Sequence, residues 1–302
     1  MEIFKPLAPV IPVFLLIAAG FVFAHWKKIN LTSVTEIIVY LGTPSLVFSS
    51  LAGKPLFATD IAVLSAGILL IFTIVGFFIR FYFLISGFSS RGFALPTLFM
   101  NAGNMGIPLA LFAFGQAGLQ RATLMFVIIT FLQYSLGIYI LNGRGNWTEI
   151  FRLPLIYAAL AGLSVNLAQI SLPELLLRPI IMLGQATIPI MLISLGYRLH
   201  EVESLQWGHA LGGALARIGG GFAAANVAVH LIGAEGVNRQ VLLLYGALPA
   251  AVVNFVLHRK IPTGSRSGGI DRRNQHVHFD FYHSSRLLAD TLALKRCLDR
   301  TL

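Results

Sequence analysis

The residues of this chain best suited to chemistry are amides, glycines and prolines set where an apolar segment should carry none. Asn101-Ala102-Gly103-Asn104-Met105-Gly106-Ile107-Pro108 sits inside an apolar stretch that runs from about 93 to 114. Proline removes a backbone donor and clashes with the preceding turn, glycine loosens a helix, and an asparagine side chain in hydrocarbon needs a partner. Together they predict a helix broken inside a membrane, which is tolerated only where the freed backbone faces protein or a water-filled cavity. A helix restarting after such a break presents unpaired N–H groups and a partial positive charge, so it can hold an anion without a fixed cation. Asn101 and Asn104 add amide donors, and Gly103 and Gly106 let a ligand approach the backbone. The competing role for the two asparagines is to satisfy the broken backbone. A second interruption at Leu248-Pro249, with Asn254 beyond it, would supply the opposing terminus. The ligand these residues suit is a small organic carboxylate.

One charged residue belongs with this set. Arg217 lies about nine residues into an apolar span, where it is either a snorkelling or paired cation or an attractor for the anion. Arg80 is close enough to a span end to snorkel. None of the eight carboxylates before residue 259 lies deep in a span. A proton or sodium antiporter normally needs one. That leaves uniport, proton coupling through the substrate's own carboxyl group, or sodium held by backbone carbonyls. Enzyme chemistry finds no support, because no Ser/His/Asp set, acidic pair or metal-ligand cluster falls within the spans. Gly219-Gly220-Gly221 lacks a strand-to-helix context, so close helix packing explains it better than phosphate binding. No cofactor and no metal site is expected.

The elements that must position these residues are membrane helices. The 302 residues are 56% hydrophobic and only 11% charged, against about 25% charged in a soluble domain. At about 20 apolar residues per span, nine spans are expected, near 6–24, 34–52, 61–84, 93–115, 122–141, 154–170, 178–197, 208–232 and 238–257. The first lacks the basic flank and cleavage site of a signal peptide and reads as a retained span. Interruptions are expected in the second at Pro44, in the fourth before Pro108, in the seventh at Pro189 and in the ninth at Pro249. Pro44 and Pro108 recur at Pro189 and Pro249 with an offset of about 140 residues, which is an internal repeat. Five spans per repeat make the second copy enter the membrane the opposite way, the pattern of a secondary transporter with a midplane site. The polar connection 142–153 is the boundary between repeats 1–141 and 154–257. Lys/Arg in the loops favour the N-terminus outside, in an inner or plasma membrane. No basic soluble module suggests a nucleic-acid partner.

Four segments carry a family resemblance: Asn101-Ala102-Gly103-Asn104-Met105-Gly106-Ile107-Pro108-Leu109, Leu41-Gly42-Thr43-Pro44-Ser45-Leu46, Gly184-Gln185-Ala186-Thr187-Ile188-Pro189, and Ala247-Leu248-Pro249-Ala250-Ala251-Val252-Val253-Asn254. In this order they resemble the fourth, second, seventh and ninth helices of the auxin efflux carrier family. The resemblance implies an all-α polytopic fold of two inverted five-helix repeats with crossing broken helices, similar to bile-acid symporters and sodium/proton antiporters. It also implies elevator-type alternating access and export of an auxin-like acid, malate, malonate or an amino acid. Asn101 matches a substrate-contacting asparagine of that family, and Pro108 and Pro249 match its crossover prolines. Asn254, five residues after Pro249, is a further expected member of the substrate site. The expected partners are the carboxylate substrate, the lipid bilayer and a second copy of the chain in a homodimer.

The resemblance stops at residue 257. Residues 259–302 carry nine Lys/Arg and four Asp/Glu, and they include the single cysteine, Cys297, with no apolar run long enough to span. The tenth helix of the family is therefore expected to be missing. Residues 258–302 read either as an out-of-frame product or as a basic tail that binds lipid headgroups or a partner; metal binding by His276 and His278 is a remote third reading. A chain without its tenth helix is expected to transport poorly, and the alternative to a working carrier is a non-transporting membrane remnant or receptor-like protein.

Overall fold

The computed structural model describes residues 10–53, 55–86, 91–137, 139–140, 147–201 and 207–250. Its elements are helical. They are α1 (Ile11–Trp26), α2 (Leu31–Gly53), α3 (Ala58–Ser86), α4 (Arg91–Leu98), α5 (Ile107–Leu132), α6 (Pro154–Leu167), α7 (Glu174–His200), α8 (Trp207–Ile232) and α9 (Gly236–Gly246). Five helical segments are long and apolar enough to cross a bilayer, and α1 and α6 are shorter apolar helices. The described residues contain no sheet; one isolated antiparallel bridge joins Met100 to Ala250.

Two sets of helices emerge from the packing. In one, α1 lies along α7 and α2 lies along both α6 and α7. In the other, α8 lies along α3, α4 and α9, while α5 touches α3 and α9. The sets meet where Leu46 of α2 and Ile188 of α7 pack with Ile107, Leu111, Leu119 and Phe126 of α5. Polar groups fasten the helix ends. Asn166 donates to the Leu51 carbonyl (2.7 Å) and accepts from the Leu56 N–H (2.9 Å), which closes the end of α2 onto α6. Asp60, Arg121 and Asn238 form a ring that joins the starts of α3 and α9 to α5, with an Arg121–Asp60 ion pair at 3.2 Å.

Two expected interruptions are not breaks. The second span runs through Pro44, and its irregularity is a π-helical turn, Ile38–Gly42, closed by the Thr43 N–H on the Ile38 carbonyl. The wider turn absorbs the missing proline donor without unwinding the helix. Pro189 lies inside the continuous helix α7, where the Thr187 hydroxyl donates back to the Leu183 carbonyl (2.7 Å). The motif residues around Pro44 and Pro189 instead form a tight crossing of α2 on α7. A Cβ on Gly184 would sit 2.9 Å from the Leu46 Cα, and one on Gly42 would strike the Thr187 side chain.

The fourth and fifth spans also differ from expectation. They are joined not by a loop over 115–122 but by a turn at Gly115, whose φ of 64° suits glycine. In a continuous helix residues 110 and 118 would lie about 12 Å apart. Here a Cβ on Gly118 would collide with the Ala110 carbonyl, so residues 116–132 fold back against 107–114.

The α1–α7 pair depends on backbone contact. A Cβ on Gly196 would lie 2.9 Å from the Phe21 nitrogen and would overlap the Ile17 carbonyl. Backbone cannot step aside as a side chain can, so Gly196→Val should destabilise the purified protein by about 1–3 kcal/mol. Gly76, with nothing within 4 Å of its Cβ position, is the control. Thermal melts should show a clear fall for Gly196→Val and little change for Gly76→Ala.

Candidate functional site: the crossing of two unwound segments

Helix α4 ends at Leu98, and the chain then runs without helix through Phe99, Met100 and Asn101. It resumes as a π-helical turn, Ala102–Gly106, that leads into α5. Pro108 falls in the first turn of α5, where a missing N–H costs nothing and the fixed φ favours the helix. On the other side α9 ends at Gly246, and Leu248, Pro249 and Ala250 leave the helical path. The two unwound segments cross antiparallel. The Asn101 N–H donates to the Pro249 carbonyl (2.8 Å), and the Asn101 carbonyl accepts from the Gly106 N–H (3.1 Å). The breaks expected before Pro108 and at Pro249 are both present, and they lie against each other.

Asn101 is buried, with 5% of its surface exposed. Both of its main-chain groups are bonded, yet its side chain caps no N–H of the turn that follows. The carboxamide therefore does not cap the turn that restarts the helix. Asn104 is half-buried. Gly103 and Gly106 are buried, and their missing side chains make room for other residues of the protein. A Cβ on Gly103 would lie 2.9 Å from the Phe126 ring and 3.5 Å from the Met191 Cε; one on Gly106 would lie 2.8 Å from the Tyr245 ring and 2.9 Å from Leu248. Asn254 lies outside the described residues, as do 258–302 with His276, His278 and Cys297.

Three residues of this region were not singled out from sequence: Phe126, Met191 and Tyr245. Tyr245 is fully buried. Its hydroxyl donates to the Ala122 carbonyl (2.7 Å) and lies 3.2 Å from that of Ala102. It thus ties α9 to both ends of the hairpin formed by the π turn and α5. The available signal was its position four residues before Pro249, on the turn whose regular bonding the proline ends. Arg217 is 1% exposed, and its three guanidinium nitrogens have no hydrogen-bond partner among the described residues. Its buried head does not snorkel. Among the described residues no group of three or more His, Cys, Asp or Glu could hold a metal.

Residues 145–267 match the family model described as membrane transport protein. The match covers 123 of the 302 residues, and the family is that of the auxin efflux carriers, whose motifs the chain resembles. The match starts within the polar connection and runs past residue 257. The chain is also similar to an uncharacterized transporter of Methanocaldococcus jannaschii, at 25% identity over 276 residues, covering 83% of this chain and 88% of that protein. The chain is therefore a multi-pass membrane transport protein and not an enzyme.

The crossing depends on Tyr245. Removing its hydroxyl leaves the Ala122 carbonyl without that donor in a dry site, at a cost of about 1–3 kcal/mol. Tyr245→Phe should lower the melting temperature accordingly while Tyr157→Phe, whose hydroxyl bonds at an exposed position, should not.

Proposed function

We propose that the transport protein carries a small organic anion, such as an auxin-like acid, malate, malonate or an amino acid, bound through its carboxylate at the crossing of the unwound segments. The observation that carries this reading is the Asn101 carboxamide. It is buried beside the crossing, its backbone is fully bonded, and it does no capping. A buried amide that caps nothing, beside a helix start, suits a carboxylate. Asn104 lies on the same turn and is half-buried, as a second donor reachable by a ligand should be. The family resemblance adds Asn254 to the substrate site, whereas the space beside Gly103 and Gly106 is taken by Phe126 and Tyr245.

The packing supports an inverted repeat. Exchanging the first four spans with the sixth to ninth turns the α1–α7 pair into the α6–α2 pair, and the α4–α8 pair into the α9–α3 pair; both members of each exchange are observed contacts. Two helix sets, with the crossing held in one of them, also suit alternating access of the elevator type, in which one set slides against the other. On this reading the N-terminus faces outside an inner or plasma membrane, and the direction is efflux.

The test is ligand-dependent thermal stabilisation of the purified chain in detergent. Indole-3-acetate, malate or malonate should raise the melting temperature of the wild type, and Asn101→Ala should lose most of that shift while keeping its unliganded stability within a few degrees. If no carboxylate stabilises the wild type, the site is wrongly read. Binding without flux in proteoliposomes would instead identify the non-transporting remnant, the outcome expected if residues 258–302 stand where a tenth helix is needed.

A further inference from the structure

Arg217 remains unexplained by the crossing itself. It sits in α8, inside the membrane-spanning stretch 213–232, with 1% exposure. A guanidinium carries five donors and cannot shed its proton under ordinary conditions. Left unpaired away from water, it is among the costliest groups a helix can hold. All three of its nitrogens lack a partner among the described residues. Asp60, a carboxylate of the same helix set, is already engaged by Arg121 and Asn238. The position is also specific. The guanidinium lies over Gly221, one turn along α8, where a Cβ would meet both its Cζ (3.0 Å) and the Gly246 carbonyl. Gly246 is the last residue of α9, and four residues later Ala250 forms the bridge to Met100. The close approach of α8 to α9 at Gly221, Ala225 and Gly246 therefore holds the cation beside the end of the second broken helix.

We infer that Arg217 is a charge-selective subsite of the transporter, neutralised by the carboxylate of the bound substrate at the second break. This rests on the carboxylate reading of the crossing and adds to it a requirement for net negative charge. The neutral donors around Asn101 can accept an amide as readily as an acid. A buried guanidinium cannot be satisfied by an amide's charge-free oxygen to the same degree, because the compensation it lacks is charge. The subsite also makes the empty protein less stable than it need be, a common cost of a preformed functional site.

The experiment compares matched acids and amides on the full chain in detergent, with indole-3-acetate against indole-3-acetamide and malate against malamide. The acids should raise the wild-type melting temperature and the amides should not. Arg217→Met should melt higher than wild type without ligand, because an orphan charge is gone, and should lose the acid-specific shift. Arg217→Lys should retain part of it. A lower unliganded melting temperature for Arg217→Met would show that the arginine has a structural partner and would overturn the inference. So would an acid shift that survives Arg217→Met while Asn101→Ala abolishes it; the crossing would then stand without the subsite. An equal shift with sodium chloride at matched ionic strength would overturn the assignment to carboxylates. Failure of every acid on the wild type would sink the crossing and the subsite together.

Discussion

One backbone hydrogen bond, from the Asn101 N–H to the Pro249 carbonyl, states the constraint on which this architecture depends. In hydrocarbon an unsatisfied peptide group costs several kcal/mol, so a chain can leave the helix only where another part of the protein supplies partners. Each unwound segment supplies them for the other. Neither break is tolerable alone, and both must reach the same depth for the bond to form. The helices that carry them are fixed from outside the crossing. Tyr245 binds α9 to the start and the return limb of the α5 hairpin, and the Asp60–Arg121–Asn238 ring joins α3, α5 and α9 at their ends. The sharp turn at Gly115 is part of the same arrangement, since it brings Ala122 back to the level of Ala102.

Much of this was legible in the sequence, and the parts that were not share a cause. The spacing of Pro108 and Pro249 marked the two real breaks. The same residue type at Pro44 and Pro189 marked none. Proline reports which backbone donor is missing, whereas the outcome depends on what the neighbourhood can do about it. At Pro44 a π turn takes up the irregularity, and at Pro189 the helix continues beside the Thr187–Leu183 bond. Both helices are further held straight by their contact at Gly42 and Gly184. That contact joins residues about 140 positions apart, which no local pattern encodes. Gly103 and Gly106 illustrate the same limit. Their type announced a close approach, but only the fold names Phe126 and Tyr245 as the groups that approach.

The treatment of polar side chains in the spans makes the exceptions informative. Several hydroxyls inside the helices bond to a carbonyl one turn back: Ser49 to Ser45, Thr73 to Leu69, Thr123 to Leu119, Ser135 to Phe131 and Thr187 to Leu183. Such local bonds demand nothing of the rest of the fold. The Ser50 hydroxyl is buried without a partner among the described residues, but a single neutral hydroxyl is a small cost beside a charge. Asn101 and Arg217 differ in kind. Each has several donors, neither is shown bonding to a carbonyl one turn back, and each lies by one of the two unwound ends. Stability alone would favour alanine or methionine at both positions. Both groups can donate to a carboxylate, which is why the proposed ligand is an organic anion.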